Sequence, residues 1–132
     1  MILMECITLA GISRRVLKDL MENRIRTLEI RSPRNFFSLE GISSDDRVFL
    51  TESSATDVVP GTSGLLTGVV GVQIVTHRMI QSGEFYYEEL ESQAARVQLH
   101  LLGIGRVRSV KSNDIGHPFV LDVDEVRYCN AR

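Results

Sequence analysis

The run Arg24-Ile25-Arg26-Thr27-Leu28-Glu29-Ile30-Arg31-Ser32-Pro33-Arg34 gathers the side chains of this sequence best suited to hold an anion. Guanidinium groups grip phosphate or carboxylate through paired N–H donors and also stack on planar rings. Glu29 stands among them as an acceptor, able to orient an arginine or to take a hydrogen bond from a base. Strand geometry would put Thr27, Glu29 and Arg31 on one face and Arg26, Leu28 and Ile30 on the other. Pro33 ends such a ladder, because it has no N–H to give. Upstream, Arg14 and Arg15 follow Ser13 in what reads as the first turn of a helix. The helix dipole disfavours cations there. Two arginines beside free N–H groups make an anion cradle, and two solvated arginines are the plainer alternative. The candidate ligand-binding residues are therefore Arg14, Arg15, Arg26, Glu29, Arg31 and Arg34.

The charge distribution points the same way. Residues 14–34 hold seven Lys/Arg against three acids, a net of +4, in a chain whose formal net charge is −2. The remainder carries −6, concentrated at 40–57 and 84–91. A polarised molecule of this kind steers anions toward one side, although lopsided charge is also common in small proteins. The net negative charge argues against a dedicated nucleic-acid binder.

Around this stretch the chain reads as one domain, 1–132, of ordinary globular composition, with 43% hydrophobic and 24% charged residues. No apolar run approaches the ~18–20 residues that span a bilayer. The start has no basic region before its apolar residues and an early Glu5, so no signal peptide is expected. A cytoplasmic location without membrane attachment follows as an expectation. Cys6 and Cys129 are isolated and are expected to be reduced. His77, His100 and His117 are widely spaced, and no CxxC occurs, so no metal site is expected. The absence of a P-loop, a nucleophile elbow and a dinucleotide fingerprint gives no reason to expect a cofactor.

The elements follow from hydrophobic periodicity. Residues 4–10 read as a strand broken at Gly11. Ser13 caps a helix to about Asn23, with Ile12 and Leu17 spaced as a hydrophobic staple. The charged strand 24–31 comes next. Phe36, Phe37 and Leu39 are expected to face the core from a short helical or irregular segment. A strand at 47–51 leads to a Ser/Thr/Asp/Pro/Gly loop at 52–64, placed to act as a flap over a site. The strand 65–77 directs Val70, Val72 and Ile74 one way and Gln73 and His77 the other. Residues 78–94 fit a helix, with Tyr86, Leu90 and Ala94 at i+4 spacing, and fit an extended excursion equally. Residues 96–110 alternate around Val97, Leu99 and Leu101. Phe119, Leu121 and Val123 form the inward face of a last strand, whose phase changes at Glu125-Val126, predicting a bulge. Without βαβ alternation, these elements predict a mainly β (α+β) fold: a small, mostly antiparallel β-barrel with one or two helices.

This order of elements resembles the ASCH branch of the PUA-like superfamily. There a helix leads into a strand patterned G-x-K-x-x-E-x-R, then a G-D-R-hydrophobic strand, then a glycine-rich strand. Glu29 and Arg31 match, Arg26 stands for the lysine and Arg24 for the glycine. Asp45-Asp46-Arg47-Val48-Phe49-Leu50 is similar to the second element, and Gly64 to Val75 to the third. The resemblance covers residues 12–77. The strings E-I-R-S-P-R-N-F-F and A-R-V-Q-L also resemble those of a small family of uncharacterised archaeal proteins, a domain of unknown function.

The PUA-like resemblance implies binding of RNA or a nucleotide-like anion in a cleft beside the helix and the charged strand. Salt-sensitive phosphate contacts would supply the affinity. With aromatics at 6% and no Trp, stacking platforms are few. Some ASCH-like proteins are amidohydrolases of acylated nucleosides, using a lysine, a threonine and a glutamate. Thr27 and Glu29 would be the catalytic pair in that alternative. The lysine is absent, and arginine is a poor base or nucleophile. A protein-interaction or regulatory module is the third class. The balance leans toward a binding module over an enzyme, and the oligomeric state is left open.

Overall fold

The computed structural model describes residues 3–114 and 117–128. Eight elements follow one another: β1 (Leu3–Leu9), α1 (Arg14–Asn23), β2 (Ile25–Ile30), α2 (Pro33–Leu39), β3 (Arg47–Leu50), β4 (Ser63–Ser82), β5 (Tyr87–Ser112) and β6 (Val120–Tyr128). The fold is mainly β with two helices, and its six strands form one sheet in the order β2-β5-β4-β3-β1-β6. A further pairing of β6 with β5 joins the sheet back on itself. Strands β5, β4, β3, β1 and β6 therefore make a closed circuit, and β2 lies beside it on β5. All pairings are antiparallel except that of β1 with β3.

The shared strand β5 makes this arrangement possible. Its residues 95–100 pair with β2, and its residues 103–112 pair with β6. Between the two partners the pairing is irregular: Leu102 has no partner on β4, and the register with β6 shifts between Ile104 and Gly105. Gly105 is buried. A Cβ there would lie 2.6 Å from Val123 Cγ1 and 3.0 Å from Leu66 Cγ, so side chains from two other strands already fill that space. Strand β6 carries the bulge expected at its end: Ile104 pairs with Arg127 but Gly105 with Glu125, leaving Val126 unpaired between them.

Two apolar clusters fill the fold. One joins Leu20 of α1, Leu28 and Ile30 of β2, and Val97 and Leu99 of β5. The other joins Cys6, Phe49, Phe119, Leu121 and Val123. Burial pushes the Cys6 thiol up to about 12, so it serves as a small apolar residue. The second cysteine, Cys129, lies outside the described residues.

Three expectations are revised. Val70 does not share a direction with Val72: a register shift between Val69 and Gly71 inserts Val70 as a bulge and leaves it exposed, while Val69 is buried. Phe37 is exposed, because α2 is a regular helix that buries Asn35, Ser38 and Leu39. The loop at 52–64 is no flap over the charged strand. Val58 and Ala55 belong to the second core cluster, and the loop is tied down by Gly11 N–H donating to Ser53 O and by Asn113 Nδ2 donating to Ala55 O.

The doubtful segment 78–94 is extended. It forms the far half of a β4–β5 hairpin that pairs without a break from Gly71 with Gln98 to Ser82 with Tyr87. Every residue from 76 to 93 is exposed.

Candidate functional site

Helix α1 begins as its sequence dictates. The Ser13 Oγ accepts from Val16 N–H at 3.3 Å, and Leu17 N–H donates to Ser13 O. The N–H groups of Arg14 and Arg15, in the same first turn, have no intrahelical acceptor. The helix ends at Arg24, whose φ of 66° lets its N–H return to Leu20 O. This left-handed residue turns the chain directly into β2.

Strand β2 buries Leu28 and Ile30 and exposes Thr27 and Glu29, the alternation read from the sequence. It pairs with β5 along one edge only. Leu101 N–H donates to Arg24 O, which makes 24 and 101 a hydrogen-bonded pair. Antiparallel pairing alternates, so Arg26, Leu28 and Ile30 also spend their backbone groups on β5. The N–H and C=O of Thr27 and Glu29 are directed to the opposite, free edge.

That free edge faces a cleft of about 350 Å³. Arg26 to Ser32 form one wall, and Gly11, Ile12, Ser13, Val16 and Asn35 complete it from the helix side. A shallower depression of about 300 Å³ adjoins it on the outer face of the sheet, over Gly71, Gln73, Arg96 and Gln98. Thr27 lines both.

Glu29 is the electrostatic centre of the outer face. Its Oε2 accepts from Arg31 Nη2 at 3.3 Å and from Nε at 3.4 Å. Its Oε1 lies 3.6 Å from Arg96 Nε and 3.9 Å from His77 Nε2. The Arg31 hydrogen bond, reinforced by the charges of Arg31, Arg96 and His77, holds the Glu29 carboxyl below the usual carboxylate range. Desolvation opposes this in part. A carboxylate held in this way accepts hydrogen bonds well and is a weak general base at neutral pH.

The other candidates divide. Arg26 lines the cleft and pairs with Asp19 of α1 at 2.6 Å, both side chains about one-third exposed. Arg14 and Arg15 lie outside the cleft, on a groove along α1 shared with Lys18, Asp19 and Glu22. Arg14 reaches Glu52 at 3.4 Å in an exposed pair. Arg34 serves packing: it donates to Asn113 O at 2.9 Å and to Asn113 Oδ1, and its guanidinium lies 5.5 Å from the Phe119 ring centroid.

The structure adds Arg96, His77, Gln73 and Gln98 to the outer face. Their outward direction was readable from strand alternation, but their position beside Glu29 depends on the β2–β5–β4 register, which no single strand reveals. Among the described residues, no group of three or more His, Cys, Asp or Glu is close enough to hold a metal ion.

Residues 4–121 match the model of a family described as a protein of unknown function, DUF473. The chain belongs to this family. A relative is the uncharacterized protein MJ0105 of Methanocaldococcus jannaschii, 34% identical over 104 residues. The aligned stretch is 79% of this chain and 65% of that protein's length, so the chain spans less than two thirds of its relative. The DUF473 match covers both helices and the strands through β5, and so includes the whole cleft. No solved structure matches the chain. Among the described residues, no helix is long and apolar enough to cross a membrane.

Proposed function

We propose that this DUF473 protein is a PUA/ASCH-like module that binds RNA or a nucleotide-like anion in the cleft between β2 and α1. The observation that carries this reading is the free edge of β2 in a charged cleft. The unspent N–H and C=O of Thr27 and Glu29 alternate as donor and acceptor, the pattern offered by the edge of a nucleobase. Arg26 and Arg31 flank that edge, and the N–H groups of Arg14 and Arg15 stand at the helix end beyond Ser13. A base would meet the strand edge, and its phosphate would meet the arginines and the helix terminus. Arg34 has no part in this arrangement, because its guanidinium is held by Asn113 and Phe119.

Thr27 and Glu29 as a hydrolytic pair is the weaker reading. Arg31, Arg96 and His77 stabilise the charged form of Glu29, whereas a general base at neutral pH needs a raised pKa.

The test is binding of cellular RNA and of free nucleotides across a salt titration, for the native chain and for Arg26→Ala/Arg31→Ala. Both replaced side chains are partly exposed and surface ion pairs of this kind add little to stability, so the variant stays folded. Native binding should weaken as salt rises, and the variant should lose about tenfold or more in affinity with a smaller salt slope. Equal or negligible binding by both would refute the reading.

A further inference from the structure

The hairpin of β4 and β5 continues well beyond the rest of the sheet. Strand β2 leaves it at Ile30, opposite Ala95, and β3 leaves it at Arg47, opposite Gly68. From Thr76 to Ser82 and from Tyr87 to Gln93 the two strands have only each other. Seven residues per strand at about 3.3 Å each make an arm roughly 23 Å long. The turn at its tip is closed by Gly83 N–H donating to Tyr86 O.

This arm is poorly suited to solvent. Met79 (58% exposed), Ile80 (57%), Phe85 (92%), Tyr86 (61%), Tyr87 (66%) and Leu90 (45%) crowd into it. Met79 faces Leu90 across the strands, and Ile80 follows on the opposite face, so both faces carry apolar side chains among their polar ones. An isolated two-stranded hairpin is only marginally stable in water, and a large exposed apolar patch marks a surface that another molecule covers. The arm is also acidic. Glu84, Glu88, Glu89 and Glu91 stand against Arg78 alone, a net of −3. Nucleic acid is therefore the wrong partner, and two such arms lying side by side would repel.

The complementary surface is on the same chain. Along the exposed face of α1, Arg14, Lys18 and Met21 recur at helical spacing with Arg15 beside them, and Ile25 follows at the start of β2. Met21 and Ile25 are 39% and 48% exposed. Among the described residues Arg15 and Lys18 have no ion-pair partner, and neither do Glu84, Glu88 and Glu91. The helix offers two unpaired cations against the one unpaired carboxylate of Glu22 in the same groove, beside two apolar side chains. The arm offers unpaired carboxylates beside six.

We propose that two copies of this chain exchange arms, each hairpin lying on the exposed face of α1 of the other copy. The two contacts are equivalent, so the assembly closes as a dimer with twofold symmetry. The three aromatic residues of both arms supply on the order of 1,000 Å² of buried surface, the size of a specific interface. This contact uses the outer groove of α1 and does not depend on a ligand in the β2 cleft.

Sedimentation equilibrium of the full chain over about 1–100 μM tests it. The native protein should sediment at twice the chain mass, and raising salt from about 0.05 to about 0.5 M should shift it toward monomer. Glu88→Lys/Glu91→Lys and Arg15→Glu/Lys18→Glu should each weaken the dimer at least about tenfold. An equimolar mixture of the two variants should recover dimer, because both contacts then join opposite charges: the reversed arm meets the reversed helix, and the native arm meets the native helix. Monomer throughout for the native chain, a dimer indifferent to both reversals, or no recovery on mixing would each overturn the proposal. Circular dichroism of the variants should match the native spectrum, since all four side chains are exposed.

Discussion

Glu29 and Asn35 both line the cleft, and they illustrate two uses of a polar side chain. The Glu29 pKa is lowered from 4.5 in the folded protein. The unfolded chain therefore takes up its proton first as pH falls, so the pair with Arg31 stabilises the fold above about pH 4.5. That contribution is lost as pH drops through the lower folded value. Denaturation midpoints measured from neutral pH downward should fall more steeply for the native chain than for Glu29→Gln. Asn35 is buried, and its Oδ1 accepts from Ala10 N–H at 3.2 Å while its Nδ2 donates to Ala10 O at 2.9 Å. The pair of bonds ties α2 to the end of β1. Asn35→Leu would strand the N–H and C=O of Ala10 without partners, and urea denaturation should show a loss of about 2–3 kcal/mol. At this scale the sequence was only half informative. Glu29 stood out by its arginine neighbours, whereas Asn35 had no periodic or charged context to mark it.

Elements were more legible than side chains wherever one signal dominated. Ser13 set the start of α1, and the clean alternation of β2 gave its two faces. Ambiguity arose where two periods coincided. Tyr86, Leu90 and Ala94 repeat at four, which satisfies both the helical spacing and every second position of a strand. Cross-strand pairing to β4 decides between them, and pairing is a tertiary fact. The β4 bulge separated Val70 from the direction of Val72 for a related reason: an inserted residue changes the phase without changing the composition. At Gly105 the packing of one element depends on a single position. Its missing side chain is what allows Val123 and Leu66 to meet across β5. Gly105→Ala should overpack this crossing and lower stability by about 1–3 kcal/mol in a thermal or urea melt. Destabilisation of that size with little change in the spectrum of the folded state would be the expected signature.

For the molecule as a whole, alternating strands without βαβ units announced a mostly antiparallel sheet, and the strand count was correct. The glycine-interrupted long strands also predicted a sheet that closes on itself, whereas the lone parallel pair was hidden, because it depends on which strands become neighbours. The candidate site was legible as a charged strand after a capped helix. Its cleft was not, since that depends on one edge of β2 staying unpaired. Closure also has a temporal side. Strand β1 is synthesised early, yet Cys6 finds its antiparallel partner only in Leu121, close to the last described residues. Contacts this distant in sequence are slow to form. Until β6 emerges from the ribosome, β1 has at most β3 beside it and keeps a bare flank able to recruit strands from other nascent chains. The period of greatest aggregation hazard should therefore end only when the stretch from Val120 onward has been made.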